Sequence, residues 1–214
     1  MGRNAGHIAF AYLKHWLLKE DSYSQQSPFI FSVYQGALDL LKKENPSSKE
    51  EKVALLAAYF CKITAAKQVL ELGFGNEKIT KFLNQGATGK LFKIPGPESL
   101  AEDTEAVLQQ IQERQSFDFV LIHPQNSEDY LQDVLSLILP RMHAQGILLL
   151  EGIHHNHGVN ASWKKIQADT RIQLTLDFFD FGVAFVSYSG PKTNLNLSYW
   201  FNLKRYPFLD FSWK

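Results

Sequence analysis

From Lys67 onward, short apolar runs alternate with segments whose apolar residues recur at helical spacing. Strands that alternate with helices are joined by right-handed crossovers, which places them in a mostly parallel sheet with helices on both faces. The sequence therefore predicts an α/β fold. Strands are predicted at residues 68–72, 91–94, 117–122 and 147–150, with a closing antiparallel pair at residues 172–176 and 183–188.

The residues that precede this alternation are predicted to form helices. Ser27 and Pro28 suit the cap and the first position of one amphipathic helix. Ser48 and Glu51 form a capping box at the start of a second one. The predicted organisation is a helical segment at residues 1–66 packed on the core, an α/β domain at residues 67–190, and an aromatic C-terminal extension at residues 191–214.

Charge and cysteine content exclude several classes of function. Lys and Arg together number 22, as do Asp and Glu, so no positive excess exists to hold a nucleic acid or an anionic membrane surface.

The most apolar N-terminal stretch, residues 8–18, is interrupted by Lys14 and His15 and is too short to cross a bilayer. Cys61 has no second cysteine to pair with, which favours a reducing compartment. We expect a cytoplasmic protein that binds neither nucleic acid nor membrane.

Polar residues and glycines follow three of the predicted strands. Glu71 and the glycines Gly73 and Gly75 end the first strand, His123 follows the third, and Glu151 follows the fourth. In open α/β sheets, ligands bind beyond the carboxyl ends of the strands, and glycines let the backbone approach them closely. The sequence therefore predicts a ligand site at this edge. A solvated or helix-capping role for Glu71 stays open as an alternative.

The same segments resemble class I S-adenosylmethionine-dependent methyltransferases. The residues that carry the resemblance are VLELGFG at 69–75, FDFVLI at 117–122, ILLLEGIH at 147–154, Trp163, SPFIF at 27–31 and the pair Phe178 and Phe179. Together they are similar to a group of small bacterial O-methyltransferase-like proteins from Bacteroidetes, over most of residues 10–188. The resemblance implies a Rossmann-like sheet with the strand order 2-1-4-5-7-6 in the family's numbering.

The resemblance also implies a cofactor and a reaction. S-adenosylmethionine would bind at the glycine loop and donate a methyl group to a hydroxyl of a small acceptor. The acceptor must lose a proton, and imidazole titrates near neutrality, so His154 is the expected general base, accompanied by Glu151 and His123. The expected cofactor-binding residues are Glu71, Gly73, Phe74, Gly75, Asn76 and Glu98.

Several positions depart from the family's pattern. Ile94 stands where the acid for the ribose hydroxyls is expected. Only about twenty residues separate the second strand from Phe117, so the family's third strand is expected to be missing. Because His123 and Gly152 replace residues that supply oxygen ligands in related metal-dependent enzymes, Glu151 alone cannot satisfy a hard cation, and no metal is expected.

These departures leave a second function open, in which a non-catalytic descendant serves as a binding or assembly module. The histidines His154, His155 and His157 suggest a third, a borderline-metal site beside Glu151, although the favoured interpretation of them is a polar loop that leads into the next helix. Aromatic residues concentrate in the C-terminal extension. That extension either covers the domain's own surface or forms a homodimer interface.

Overall fold

Helices and strands alternate along the chain as the apolar periodicity predicts. The structure is a computed structural model that describes residues 27–96, 103–114, 116–124 and 128–197. The helices are α1 (Pro28–Glu44), α2 (Lys49–Ile63), α3 (Glu77–Gly86), α4 (Asp103–Gln112), α5 (Glu128–Ile138) and α6 (His157–Ala168), with a 3-10 turn at Leu139–Arg141. The strands are β1 (Gln68–Leu72), β2 (Lys90–Ile94), β3 (Phe117–Ile122), β4 (Met142–Glu151), β5 (Leu174–Asp177), β6 (Phe181–Phe185) and β7 (Thr193–Asn196).

The strands form one sheet in the order β2-β1-β3-β4-β6-β5-β7. Strands β1 to β4 run parallel, and β6 is antiparallel to both β4 and β5. This confirms the predicted fold class and the predicted order of the first six strands. Between β2 and β3 the described residues hold α4 and no strand, so the family's third strand is missing from that part of the chain. The seventh strand is β7, which pairs in parallel with β5 at the opposite edge.

Alternate residues of each central strand face two separate cores. Val69 of β1 and Phe119 of β3 are buried among α1, α2 and α3. Leu70 and Val120, the neighbouring residues, are buried among α4, α5 and α6. This alternation follows from the two-residue period of a strand, and it places helices on both faces. None of the described helices is both long and apolar enough to cross a bilayer.

The two predicted N-terminal caps are present. Ser27 Oγ accepts a hydrogen bond from the backbone N–H of Ile30, and Ser48 Oγ accepts one from that of Glu51 at 3.1 Å. The Glu51 carboxylate returns to the N–H of Ser47 at 2.6 Å, one residue before the position that a standard capping box uses.

The bounds of β4 and β6 differ from the prediction more than those of the other predicted strands. The exposed first half of β4 is polar, so apolar periodicity identifies only its buried second half. Strand β6 begins at Phe181 because the hairpin before it is tight, with Phe179 in the left-handed region at φ 69°. The predicted cap at Ser99 and the aromatic residues after position 197 lie outside the described residues, and the homodimer interface stays a prediction.

Candidate functional site

Strands β1, β3 and β4 end at the same level of the sheet and bring three predicted site residues together. Leu72 pairs with Ile122, and Ile122 pairs with Leu150, so the residues that flank these positions meet at the carboxyl edge. Glu71 lies at the end of β1, His123 directly after β3, and Glu151 at the end of β4. The alternation of strand residues turns Glu71 toward the face that α3 covers.

The Glu71 side chain is 0 % exposed and is held by three polar groups. Its Oε1 accepts a hydrogen bond from Thr80 Oγ1 at 3.0 Å and lies 3.3 Å from His123 Nε2. Lys93 Nζ lies 3.6 Å from the same oxygen and donates to Thr80 Oγ1 at 2.8 Å. The alternative interpretation, in which Glu71 is solvated or caps a helix, is therefore wrong. The second oxygen, Oε2, is buried and has no hydrogen-bond partner among the described residues.

His123 bridges the two carboxylates. Its Nδ1 lies 2.5 Å from Glu151 Oε2, while its Nε2 faces Glu71, and the ring is 7 % exposed. Burial alone lowers the pKa of His123, but the hydrogen bonds and charges of Glu151 and Glu71 outweigh it and raise that pKa to about 9. The ring is therefore an imidazolium at neutral pH, with both N–H groups directed at carboxylate oxygens.

The glycine loop after β1 lies against the same histidine. Gly73 has φ 102°, and a Cβ there would sit 2.4 Å from the backbone oxygen of His123. A Cβ on Gly75 would lie 2.3 Å from both His123 Nε2 and Glu71 Oε1. Phe74, between them, is 58 % exposed. Gly73 is thus required by its positive φ and by the backbone of His123, and Gly75 by the side chains of Glu71 and His123.

Two other predicted cofactor residues stand apart from this cluster. Asn76 caps α3, because its Oδ1 accepts from the N–H of Lys78 at 2.8 Å. Glu98 lies outside the described residues.

His154, the expected general base, belongs to a different group of residues. Its Nε2 lies 2.8 Å from Oδ2 of the buried Asp177, its Nδ1 lies 3.0 Å from Asn160 Nδ2, and its ring stacks on Phe179. Trp163 Nε1 donates to the same Asp177 oxygen at 3.3 Å. Both ring nitrogens therefore face polar groups of α6 and β5. His123, by contrast, contacts the carboxylates of β1 and β4.

The remaining histidines of the loop do not assemble a metal site in the described part of the chain. His155 lies 3.3 Å from Lys49 Nζ and 3.8 Å from Asp180 Oδ1, and His157 is the first residue of α6. No group of three or more His, Cys, Asp or Glu residues is arranged to hold a metal ion in the ranges that the structure describes.

Among the described residues, this edge of the sheet holds an acceptor suited to an ammonium group, and the end of β2 holds none suited to ribose hydroxyls. The free oxygen of Glu71 suits an ammonium group, because a buried carboxylate oxygen without a donor costs free energy until one is supplied. Ile94, at the end of β2, is 2 % exposed and carries no acceptor for ribose hydroxyls. Sequence reasoning missed Thr80, Lys93 and Asp177, which lie on other elements and carry no motif.

Comparison with known proteins shows the fold. No protein-family model and no curated protein matches the chain. The chain is similar to the crystal structure of a Klebsiella pneumoniae protein named for an expected O-methyltransferase activity, with a TM-score of 0.51, 15 % identity, and coverage of 83 % of this chain and 96 % of that one. At this identity the likeness shows a methyltransferase fold and nothing finer.

Two further structures are similar with lower scores. The O-methyltransferase from Bacillus cereus in complex with SAH gives a TM-score of 0.48 at 14 % identity, covering 82 % of this chain and 96 % of that one. The O-methyltransferase TomG from Streptomyces achromogenes in complex with SAM gives 0.48 at 14 % identity, covering 88 % of this chain and 100 % of that one.

Proposed function

We propose that this protein is an S-adenosylmethionine-dependent methyltransferase that acts on a hydroxyl of a small acceptor. The observation that carries the proposal is the buried Glu71 carboxylate, which keeps one oxygen free at the end of β1 beside the glycine loop. A fully buried acceptor at the ligand-binding edge of an α/β sheet is suited to a cationic group of a ligand. The ammonium of the cofactor's amino-acid end is such a group.

In this proposal His123 and Glu151 act on the acceptor. Bound S-adenosylmethionine would supply an electrophilic methyl group to the acceptor oxygen. The acceptor hydroxyl loses its proton, and Glu151 is the group that receives it, because its side chain is 17 % exposed and so reachable. His123 is the positioning residue that orients this carboxylate through the 2.5 Å contact.

Calorimetric titration with S-adenosylhomocysteine, the demethylated product, tests the proposal. We expect binding to the wild-type protein and a loss of about 10- to 150-fold in affinity for Glu71→Gln, since a hydrogen bond to a charged group contributes about 1.5 to 3 kcal/mol. Glu77→Gln is the matched control, because Glu77 is exposed in the first turn of α3. No heat at millimolar ligand would contradict the proposal.

A specific observation favours a second candidate, a non-catalytic methyltransferase-fold protein that serves as a binding module. Ile94 removes the ribose contact, and the His123 ring lies where a side chain on Gly75 would stand, so the chain's own residues occupy the space beside the loop. Mass spectrometry of small molecules released from the purified protein distinguishes the two. Bound cofactor or its product would contradict this candidate. A folded protein that neither carries nor binds either would support it.

A further inference from the structure

One imidazole separates two carboxylates at the carboxyl edge of the sheet, where the Glu71 side chain is fully buried and that of Glu151 is mostly buried. His123 Nδ1 is 2.5 Å from Glu151 Oε2, and His123 Nε2 is 3.3 Å from Glu71 Oε1. Two carboxylates in such surroundings need a positive charge close by, because removing an ionised group from water without compensation is very costly. Of these two carboxylates, the partly exposed Lys93 pairs with Glu71 and, among the described contacts, not with Glu151.

The donor set does not suit a divalent metal ion. Hard cations such as Mg²⁺ and Mn²⁺ need several oxygen ligands in a compact arrangement. Here the ring of His123 holds the two carboxylates apart, and both of its nitrogens point at oxygens, so neither has a lone pair to offer. Gly152, the residue after Glu151, has no side-chain oxygen.

We propose that the His123 imidazolium is the resident cation of this site. It supplies the positive charge that Glu71 and Glu151 require, and by holding both it closes the site to divalent metal ions. A single change, His123→Asp, would then convert the cluster into three carboxylates around a vacated cation position, which is a divalent-metal site. The inference is independent of the proposed function, since it concerns the resting charge arrangement and not methyl transfer.

A titration with Mn²⁺ alone tests this assignment. Binding is measured as the loss of the electron paramagnetic resonance signal of the free ion. We expect no stoichiometric binding by the wild-type protein and one ion bound by His123→Asp, with an affinity at least about tenfold higher than wild type. His123→Asn matches aspartate in shape without its charge and should bind more weakly than His123→Asp. His157→Asp adds the same charge at an exposed helix start and should behave as wild type.

A second measurement uses only the wild-type protein, in case His123→Asp fails to fold. Paramagnetic Mn²⁺ broadens the nuclear magnetic resonance signals of nearby protons, so we expect the ring protons of His123 to stay sharp at Mn²⁺ concentrations that broaden exposed carboxylate residues. Broadening of that ring in stoichiometric Mn²⁺ would overturn the proposal. A folded His123→Asp protein that binds Mn²⁺ no better than wild type or His123→Asn would overturn it as well.

Discussion

His123 links the stability of the fold to pH. Its pKa is raised from 6.5 to about 9 in the folded state, so protonation stabilises the fold. This contribution is complete below about pH 6.5, the unfolded value, and is lost as the pH rises through about 9. One pKa unit corresponds to about 1.4 kcal/mol, so the full loss amounts to about 3 kcal/mol in the free energy of unfolding.

Urea unfolding of wild type and His123→Gln between pH 6 and pH 10 measures this contribution. We expect the variant to be less stable at the acid end and the two curves to converge at the alkaline end. The comparison removes the effect of other groups, such as Cys61, whose pKa burial raises to about 12. A constant difference between the curves would show that the charge of His123 does not contribute.

Gly75 is the second residue at which a single change has a clear expected result. Its φ lies outside the left-handed region, so the cost of Gly75→Ala comes from contact with Glu71 and His123. We expect a loss of about 1 to 3 kcal/mol in the free energy of unfolding. The same change in a His123→Ala background should cost less, because the ring is gone. Equal costs in both backgrounds would contradict this contact.

The sequence alone identifies part of the site. Glu71, His123 and Glu151 each end or follow a predicted strand, and the carboxyl-edge rule therefore places them together. The spatial arrangement of the three side chains, in which the imidazole lies between the two carboxylates, depends on side-chain directions that no local sequence pattern specifies. Thr80 and Lys93 reach Glu71 from α3 and β2, two elements whose packing against β1 no motif in the sequence specifies.

At the scale of elements, Asp177 joins β5 to α6 and to the hairpin that follows it. Its carboxylate accepts from His154 Nε2, from Trp163 Nε1 and from the backbone N–H of Phe179. In Asp177→Asn, an amide N–H₂ group replaces one of the two carboxylate oxygens. Because both oxygens accept hydrogen bonds, this N–H₂ group would face a hydrogen-bond donor instead of an acceptor. We expect a loss of about 2 to 3 kcal/mol, measured by urea unfolding.

Asp133→Asn is the control for this change, because Asp133 is an exposed aspartate on α5. Its expected effect is within about 0.5 kcal/mol. An equally small effect at Asp177 would show that its three hydrogen bonds do not hold the hairpin to the helix.

Strands that are apolar along most of their length could be predicted with correct bounds. Strands that are apolar over only part of their length could be predicted only in that part. Strands β1 and β3 match their predicted bounds, because a predominantly apolar run, with one charged residue in each, marks both of them. The exposed first half of β4 has no apolar run that would identify it as a strand. It is recognised only by its pairing with β3, which is distant in sequence. Asp177, the partner of His154, could not be predicted for the same reason. It lies on β5, 23 residues further along the chain, and only the folded arrangement brings it close.

At the scale of the whole molecule, β7 extends the sheet beyond the hairpin and adds Leu195 to the core, and Leu197, the residue after β7, is buried there as well. We expect Leu195→Ala to lower the free energy of unfolding by about 2 to 4 kcal/mol in one cooperative transition. Ile63→Ala, at an exposed apolar residue of α2, is the matched control with a cost below about 1 kcal/mol. A wild-type-like Leu195→Ala would place β7 outside the cooperative unit.

The described residues between β2 and β3 form no strand, and β2 is the outermost strand at the other side of the described sheet. Unpaired backbone groups on such a strand attract the strands of other chains, and lysines are a common means of preventing this. Lys90 and Lys93 are both exposed on β2. Lys93 thus combines a contact with the buried Glu71 and a position on the outermost described strand, where a positive charge disfavours pairing with the strand of another molecule.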